Sequence, residues 1–354
     1  MSRLLDLAPG GATYAQSGVS IEAGDEAVER IKESVASTNR PEVLGGIGGF
    51  GGLFALDTHR YPNPVLVSSA DGVGTKLEIA RLANRYDTVG IDLVAMLVDD
   101  LACVGAEPLF LLDYVAVGHL DPARLEELVS GIAAGARRCG AALIGGETAE
   151  HGGVMRPDDL DVAGFAVGVL ERDSELGAHR VREGDVLVGL ASPGLRSNGY
   201  SLARRVLLEG RDDALGSPAY PGASHTLADE LLLPSVIYVP IITALRDELH
   251  DELHAVAHIT GGGIIGNVPR ALPDHLDAVI DMTSFATPEI FFEIQRRGQV
   301  GAEEMVRVFN CGLGMVVTVS ARVADRVIAA AKLWDVTASV VGEVVTGSRS
   351  VILR

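Results

Sequence analysis

The sequence predicts an α/β protein of the α+β type with two mixed α/β domains. Three observations support this prediction. The chain has 354 residues, enough for two ordinary domains. Apolar runs typical of strands alternate with helical patterns along its whole length. Polarity rises and the periodicity lapses near residues 171–185, which predicts a boundary between a domain at 1–170 and a domain at 171–354.

The predicted elements of the first domain begin with a helix over 23–36, which Asn39-Arg40-Pro41 ends. A glycine-rich stretch follows, and then a strand that runs into "DGVGTK" (71–76). The next segment, 87–104, is almost entirely apolar and predicts a buried helix. Strands are predicted at 108–117, 141–150 and 161–171. Between the first two of these strands, a helix over 121–139 has Asp121 as N-cap and Pro122 in its first turn.

The second domain is predicted to start with a strand at 185–192, followed by a helix with Ser197 or Asn198 as its cap. Residues 225–249 predict one long helix. Further strands are predicted at 254–260, 277–282, 312–320, 338–345 and 350–354, and further helices at 261–272, 288–297 and 322–333.

Composition restricts the classes of function. Apolar residues make up 47% and charged residues 22% of the chain, as in globular proteins. No apolar run approaches the ~18 residues of a membrane span, and no signal sequence is visible, so we expect a cytoplasmic protein with no membrane partner. The net charge of −19 argues against a nucleic-acid partner. An anionic ligand would need local donors or bound cations to overcome this charge.

Two glycine patterns have the spacing of a dinucleotide-binding fingerprint. Gly46-x-Gly48-x-x-Gly51, in "GGIGGFGG", has neither a strand before it nor a helix after it, so we expect a mobile lid that packs its amides onto phosphates. We predict that this lid is poorly ordered without ligand, and that Ile47 and Phe50 anchor it when it closes. Gly261-x-Gly263-x-x-Gly266 follows a predicted strand, and Asp281 ends the next strand. An NAD-dependent dehydrogenase therefore remains an alternative.

Acidic residues follow several predicted strands. Asp71 opens "DGVGTK", which is not a Walker A loop but offers an acid, glycine amides, a hydroxyl and an ammonium to a metal-bound phosphate. Asp99 and Asp100 lie in the apolar helix, where Asp99 could equally form a cap or a salt bridge. Glu147 and Thr148 lie beyond "LIGG". Because Mg²⁺ prefers carboxylate oxygens, Asp71, Asp100 and Glu147 are candidate ligands.

The second domain has candidate residues of its own. His258 follows an apolar strand and is either a core histidine or a functional one. It lies next to Thr260-Gly261-Gly262-Gly263, which suits an anion. Ser197 and Asn198 could cap a helix or bind a substrate phosphate.

Ten motifs in this order resemble the phosphoribosylformylglycinamidine cyclo-ligase (AIR synthetase) family. The match runs from about Tyr14 to about Met315. The motifs are "RPEVLGGIGGFGG", "DGVGTK", "GIDLVAM", "GAEPLFLLDY", "GGETAE", "DVAGFAVGV", "SNGYSL", "AHITGGG", "NVPR" and "FNCGLGM". The resemblance implies that ATP and formylglycinamidine ribonucleotide become 5-aminoimidazole ribonucleotide, ADP and phosphate, through phosphorylation of the formamide oxygen in purine synthesis. It also implies a homodimer in which N-terminal strands form a shared barrel.

The resemblance assigns roles to the candidate residues. His258 would be the general base, and Lys32 and Lys76 would supply positive charge. Mg²⁺ would be held by Asp71, Asp100 and Glu147. The implied ATP-binding residues are Gly46, Gly48, Gly49, Phe50, Gly51, Asp71, Gly72, Gly74, Thr75, Lys76, Asp100, Glu147 and Thr148. The implied substrate-binding residues are Ser197, Asn198, Gly199, Thr260, Gly261, Gly262 and Gly263.

Three positions depart from the family pattern. Ser20 stands where Asp is usual, Asp99 where Asn is common, and His151-Gly152 where Met-Pro is usual. Other ATP-using enzymes of the same fold remain alternatives: selenophosphate synthetase, thiamine-monophosphate kinase and a hydrogenase-maturation protein. A selenophosphate synthetase usually carries a cysteine near the early glycine loop, whereas the first cysteine here is Cys103.

Overall fold

The computed structural model describes Tyr14, residues 17–211 and residues 213–354. The first half of the chain contains four helices and six strands within these residues. The helices are α1 (Ile21–Ala36), α2 (Lys76–Ala83), α3 (Asp87–Cys103) and α4 (Pro122–Cys139). The strands are β1 (Val43–Leu44), β2 (Leu53–Phe54), β3 (Pro64–Gly72), β4 (Glu107–Val117), β5 (Ala142–Glu150) and β6 (Leu160–Glu171).

The second half contains seven α-helices and six strands within the described residues. The helices are α5 (Tyr200–Leu208), α6 (Leu227–Leu231), α7 (Val239–Leu249), α8 (Gly263–Asn267), α9 (Glu289–Gly298), α10 (Ala302–Val308) and α11 (Ala324–Lys332). The strands are β7 (Val186–Ala191), β8 (Leu253–His258), β9 (Leu276–Ile280), β10 (Leu313–Val319), β11 (Ala338–Thr346) and β12 (Val351–Leu353).

A four-stranded sheet organises the first half, in the order β3-β6-β4-β5. β6 is antiparallel to β3 and β4, whereas β4 and β5 are parallel. Small residues let α3 and α4 approach closely: a Cβ at Gly90 would lie 2.4 Å from the α4 backbone. The predicted cap of α4 is confirmed, since Asp121 accepts the backbone N–H groups of Ala123 and Arg124.

Helix α3 joins the two halves of the molecule. Fourteen of its 17 residues are buried, which confirms the prediction from its apolar sequence. The helix packs on β3, β4, β6 and α4 in the first half, and on α7 and β8 in the second. Any acidic side chain on α3 that points toward the second half must therefore find a buried partner there.

The second half is built on a six-stranded sheet in the order β12-β9-β11-β7-β10-β8. This topology excludes the dinucleotide-binding fold that Gly261, Gly263 and Gly266 suggested. Such a fold needs two neighbouring parallel strands joined by a helix, whereas β8 is an edge strand that pairs antiparallel with β10 alone, and β9 lies four places away. Helix α8 has only five residues, and Asp281 accepts hydrogen bonds from Thr283. The dehydrogenase alternative is therefore not favoured.

Two helix predictions in the second half are wrong. The expected helix over 225–249 is divided into α6 and α7, because Pro234 keeps the preceding residue out of the helical region. Helix α5 begins after Gly199, which has a φ of 80° and makes no side-chain cap. Neither Ser197 nor Asn198 caps it. In the described part of the chain, no helix is both long and apolar enough to cross a bilayer.

Candidate functional site

A cavity of about 670 Å³ lies beside the edge strand β5. Helices α1 and α4, residues 46–52 and the ends of β4 and β5 surround it. Seven of the residues expected to bind ATP line this cavity: Gly46, Gly48, Gly49, Phe50, Gly51, Glu147 and Thr148. The structure thus brings the glycine stretch and the end of β5 together, although almost 100 residues separate them in the sequence.

The glycine stretch forms the loop of a short hairpin. Strands β1 and β2 pair on either side of it. A Cβ at Gly46 or Gly51 would meet no atom within 4 Å, so packing does not require glycine there. The absence of side chains leaves the backbone amides open to a ligand in the cavity. Phe50 is fully exposed at the tip of this loop, so it does not anchor a closed position in this structure.

Lys32 lies on the outside of the same loop. It is on α1, ion-paired with Glu29 one turn away. It lines a neighbouring cavity of about 240 Å³, together with Gly45, Gly46 and Ile47. The Lys32 side chain therefore borders the glycine loop without entering the large cavity.

Asp113 also lines the large cavity, and the sequence analysis missed it. It lies on β4 beside Gly146 of β5, where a Cβ would come 1.7 Å from Asp113 Oδ1. Burial raises the pKa of Asp113 to about 7, and only its own backbone amide opposes this rise. Among the described residues, no other group pairs with it. A carboxyl group inside the apolar strand "PLFLLDYVAV" is the sequence signal that could have revealed it.

A second group of candidate residues lies at the opposite edge of the sheet. Asp71, at the end of β3, accepts the N–H of Gly72 at 2.7 Å. Burial raises the pKa of Asp71, and the nearby Asp100 carboxylate raises it further. Asp100 in turn lies 2.9 Å from Nδ1 of His258. Asp100 therefore lies near Asp71 on one side and binds His258 on the other, but the three side chains do not converge on one point as metal ligands would.

The three predicted magnesium ligands do not meet within one chain. In the sheet register, Asp71 of β3 pairs with Gly164 of β6, and Gly164 pairs in turn with Asp113 of β4. On the other side of β4, Asp113 pairs with Gly146 of β5, the neighbour of Glu147. Three strand spacings separate Asp71 from Glu147, roughly 14 Å. Two carboxylates at that separation cannot bind one Mg²⁺, whose ligand distances are about 2.1 Å. No cluster of three metal-ligating side chains occurs in the described residues. The expected site is divided between two edges of the sheet.

Arg196 determines which ring nitrogen of His258 carries the proton. One guanidinium nitrogen lies 2.9 Å from His258 Nε2 and donates to Asp99 Oδ2 at 2.8 Å. Because a guanidinium can only donate, Nε2 accepts, and the ring proton lies on Nδ1 and is donated to Asp100. Neither nitrogen of His258 is free to take a proton from a substrate in this arrangement. The expectation that His258 is the general base is therefore not supported here.

Asp99 has a structural role. It forms a salt bridge, which is one of the interpretations that the sequence left open. It is fully buried and also accepts the N–H of Tyr238 at 2.8 Å. Burial raises its pKa, and Arg196 opposes that rise. Arg196 was missed because nothing in "GLRSNGY" marks its guanidinium as buried. Ser20, another departure from the family pattern, accepts from the N–H of Ala23 and so caps α1 as an aspartate would.

Lys76 does not reach either group of candidate residues. Its side chain is completely buried, 2.5 Å from Asp92 and donating to the carbonyl of Leu233 at 2.8 Å. Asp92 also accepts from the N–H and hydroxyl of Ser235. The expectation that Lys76 meets a phosphate is wrong for this structure, because its ammonium has no exposed surface and is neutralised by Asp92.

The expected substrate-binding residues lie in the second half, where Thr260, Gly261, Gly262 and Gly263 follow His258 in the chain and Ser197, Asn198 and Gly199 precede α5. The hydroxyl of Ser197 is buried without a hydrogen-bond partner, so a ligand could bind it. The side-chain amide of Asn267 donates to the carbonyls of Thr260, Gly261 and Gly263 and holds that turn in place. The Thr75 and Ser201 hydroxyls lie 3.1 Å apart, so "DGVGTK" contacts the second half.

Two family models match the chain. One describes the N-terminal domain of AIR synthase related proteins and matches residues 56–170. The other describes the C-terminal domain of the same proteins and matches residues 182–353. Among solved structures, thiamine-monophosphate kinase from Stenotrophomonas maltophilia is similar, with a TM-score of 0.68, 21% identity and coverage of 93% of this chain and 95% of that chain. The hydrogenase maturation protein HypE in complex with ATP has a TM-score of 0.64, with 16% identity and coverage of 92% and 90%.

Sequence comparison gives a much closer relation. The phosphoribosylformylglycinamidine cyclo-ligase of Geotalea daltonii is 50% identical over 336 residues, which cover 94% of each chain. That of Anaeromyxobacter dehalogenans is 53% identical over 313 residues, 87% of this chain and 88% of its own. The chain therefore belongs to the phosphoribosylformylglycinamidine cyclo-ligases, within the AIR synthase related proteins.

Proposed function

We propose that this protein closes the imidazole ring of 5-aminoimidazole ribonucleotide from formylglycinamidine ribonucleotide, with ATP converted to ADP and phosphate. The observation that carries this proposal is 50% identity over 94% of the chain to a protein of that name. Phosphorylation of the formamide oxygen turns it into a leaving group, and the amidine nitrogen then attacks the same carbon. Such a reaction needs a nucleotide site and a second site for the ribonucleotide.

The large cavity is the proposed ATP site. Open amides of the glycine loop suit phosphates, and the apolar walls from α1 and α4 suit a base. The related HypE structure is a complex with ATP. Phosphoryl transfer depends mainly on positioning and on neutralising charge, and Lys32 is the cation nearest this loop on α1.

Asp71 and Asp100 fit Mg²⁺. They are two carboxylates close enough for one to raise the pKa of the other, and a divalent cation would neutralise this repulsion. Bound there, Mg²⁺ would supply positive charge to the ATP phosphates. His258 holds Asp100 in place through a hydrogen bond, and Arg196 in turn binds the other ring nitrogen of His258. Ser197 offers its unpaired hydroxyl to the ribonucleotide.

A homodimer would bring the two separated groups of candidate residues together, each group from a different subunit. The face of the four-stranded sheet away from α3 exposes three large apolar side chains: Leu66, Tyr114 and Phe165. Covering this face with the same face of a second copy would bury them and bring strands of two chains together as a shared barrel. Asp71 and Asp100 of one subunit would then complete the cavity that holds Glu147 in the other.

A direct assay tests the proposed function. The protein is incubated with ATP, Mg²⁺ and formylglycinamidine ribonucleotide, and ADP and aminoimidazole ribonucleotide are measured. We expect both products in equal amounts. Asp71→Asn should reduce kcat at least 100-fold without changing the melting temperature, whereas Asp325→Asn, at an exposed position on α11, should leave kcat unchanged. The absence of product with authentic substrate would refute the proposal.

A further inference from the structure

The substrate-binding side of this protein needs a cation that its most prominent basic residues cannot supply. The chain has a net charge of −19, and a ribonucleotide carries a 5′-phosphate. Lys76 and Arg196 are basic side chains at the interface of the two halves, next to the candidate residues. Both are completely buried, and each is neutralised by an aspartate of α3. Neither can meet a phosphate without leaving a buried carboxylate unpaired.

A third cavity, of about 220 Å³, lies between the two halves. Its walls are the C-terminal end of α3, residues 176–177, the edge strand β8, and the turn that follows α8. Asp100 and His258 line one part of it. Asn267 and Arg270 line another. The cavity thus lies between Asp100 of the first half and Asn267 and Arg270 of the second.

Arg270 places a positively charged side chain in the lining of this cavity. It is exposed, and its hydrogen bond is a long one, 3.3 Å to the side-chain oxygen of Asn267. Within the described part of the chain, Arg270 forms no ion pair with a carboxylate. Its backbone is nevertheless held firmly, because Asn267 binds three carbonyls of the preceding turn and Arg349 donates to the carbonyl of Pro269. A fixed backbone with a free guanidinium is the arrangement that an anion site requires.

The other titratable groups facing the cavity are compatible with an anion at the Arg270 end. Burial raises the pKa of the Cys103 thiol far above its ordinary value, so the thiol carries no charge. His258 donates its proton to Asp100, which disperses part of that carboxylate's charge. The positive and negative groups of the cavity therefore belong to different walls, Arg270 to one and Asp100 to the other.

We propose that Arg270, supported by Asn267, binds the 5′-phosphate of the ribonucleotide substrate in the cavity between the two halves. This inference rests on the proposed function. A guanidinium presents two parallel N–H groups to a phosphate, which fixes the orientation of the ligand as well as its position. With the phosphate at Arg270, the reacting end of the substrate extends toward Asp100 and the ATP phosphates. Arg270 thereby determines that the enzyme takes a phosphorylated riboside rather than the free riboside.

Steady-state kinetics of Arg270→Ala and Arg270→Lys, with formylglycinamidine ribonucleotide and the corresponding riboside without phosphate, test the proposal. We expect Arg270→Ala to raise the KM for the ribonucleotide roughly 10- to 100-fold, with the KM for ATP unchanged. Activity on the riboside should be the same as in the wild type. Arg270→Lys should recover part of the loss, since it restores charge but not the paired geometry. Arg138→Ala, an exposed arginine on α4, is the matched control.

Other outcomes would overturn the proposal. An equal loss with ribonucleotide and riboside would show that Arg270 acts on the fold or on the chemistry, and a change confined to the KM for ATP would assign it to the nucleotide site. If the wild type turns over neither compound, the proposed function fails, and titration with inorganic phosphate decides the inference separately. Phosphate that binds wild type and Arg138→Ala at least tenfold more tightly than Arg270→Ala would support an anion site. Equal binding to all three would refute it.

Discussion

Lys76 and Asp92 show how a single buried pair can be mistaken for a catalytic one. Lys76→Met leaves the Asp92 charge uncompensated inside the protein, so we expect the free energy of unfolding to fall by about 3–5 kcal/mol. Lys76→Met/Asp92→Asn removes both charges and keeps an acceptor for Ser235, so it should recover most of that loss. Urea unfolding measures both effects. A Lys76→Met protein as stable as wild type but inactive would return Lys76 to the phosphate site.

Asp113 gives the stability of the protein a pH dependence of opposite sign to that of a carboxylate in a salt bridge, whose pKa is lowered on folding. Its pKa in the folded protein is about 7, against 3.8 for a free side chain. Between these values the folded state holds a proton that the unfolded state has lost, so the contribution to stability falls as the pH rises from about 4 to about 7.

Asp113→Asn removes this titration. We expect the gain in stability over wild type to grow from about 2 kcal/mol at pH 5 to about 4 kcal/mol at pH 8, because Asn needs no proton to remain neutral in the cavity. Urea unfolding at several pH values measures the difference. A difference between the two proteins that stays constant with pH would show that Asp113 titrates normally.

At the scale of elements, the glycine hairpin loop combines two kinds of glycine. A Cβ at Gly46 would meet no atom within 4 Å, whereas a Cβ at Gly52 would lie 2.7 Å from the backbone oxygen of Ile144. Packing against β5 therefore requires glycine at position 52. It does not require glycine at position 46, where the open space suits a ligand.

A pair of alanine variants separates these roles. Gly46→Ala should keep the melting temperature of the wild type and raise the KM for ATP roughly tenfold, since its methyl group enters the space that phosphates would occupy. Gly52→Ala should cost about 1–3 kcal/mol of stability through the clash with β5. Thermal unfolding and ATP titration distinguish them. Reversed behaviour of the two variants would place the phosphates elsewhere.

Helix α3 illustrates how one element can serve both packing and chemistry. Asp92 and Asp99 are seven residues apart and lie on the side of the helix that meets the second half. Each forms a buried ion pair, with Lys76 and Arg196 respectively. Asp100, the next residue, projects to a more exposed position and remains partly open. The structural Asp99 and the candidate ligand Asp100 are thus separated by about 100° of rotation around α3.

At the scale of the whole molecule, the division of the carboxylates between two sheet edges predicts complementation between subunits. Asp71→Asn and Glu147→Gln should each inactivate the proposed dimer. When they are mixed and allowed to exchange subunits, each mixed dimer has one intact site, so about a quarter of wild-type activity should return. Asp71→Asn mixed with Asp100→Asn is the control, because both changes affect the same subunit's contribution. No recovery in the first mixture, or equal recovery in both, would contradict the shared site.

The sequence determined much of the fold. The apolar pattern of α3, the Asp121 cap of α4 and the strands that end at "DGVGTK" and "GGETAE" were all predicted, because hydrophobic periodicity and capping depend on neighbouring residues. It also determined the family, since ten motifs in order carry far more information than one glycine pattern. The break within 225–249 is also encoded locally, because Pro234 stands between α6 and α7.

Only the tertiary structure decided which charged residues are functional candidates. Lys76, Asp92, Asp99 and Arg196 are charged in the sequence like any surface residue, and their burial depends on how α3 meets the second half. Asp71 and Glu147 both lie toward the C-terminal end of a strand, yet sheet order places those strands at opposite edges. Strand order and the pairing of buried charges arise from contacts between residues far apart in the chain, and a local pattern carries no record of them.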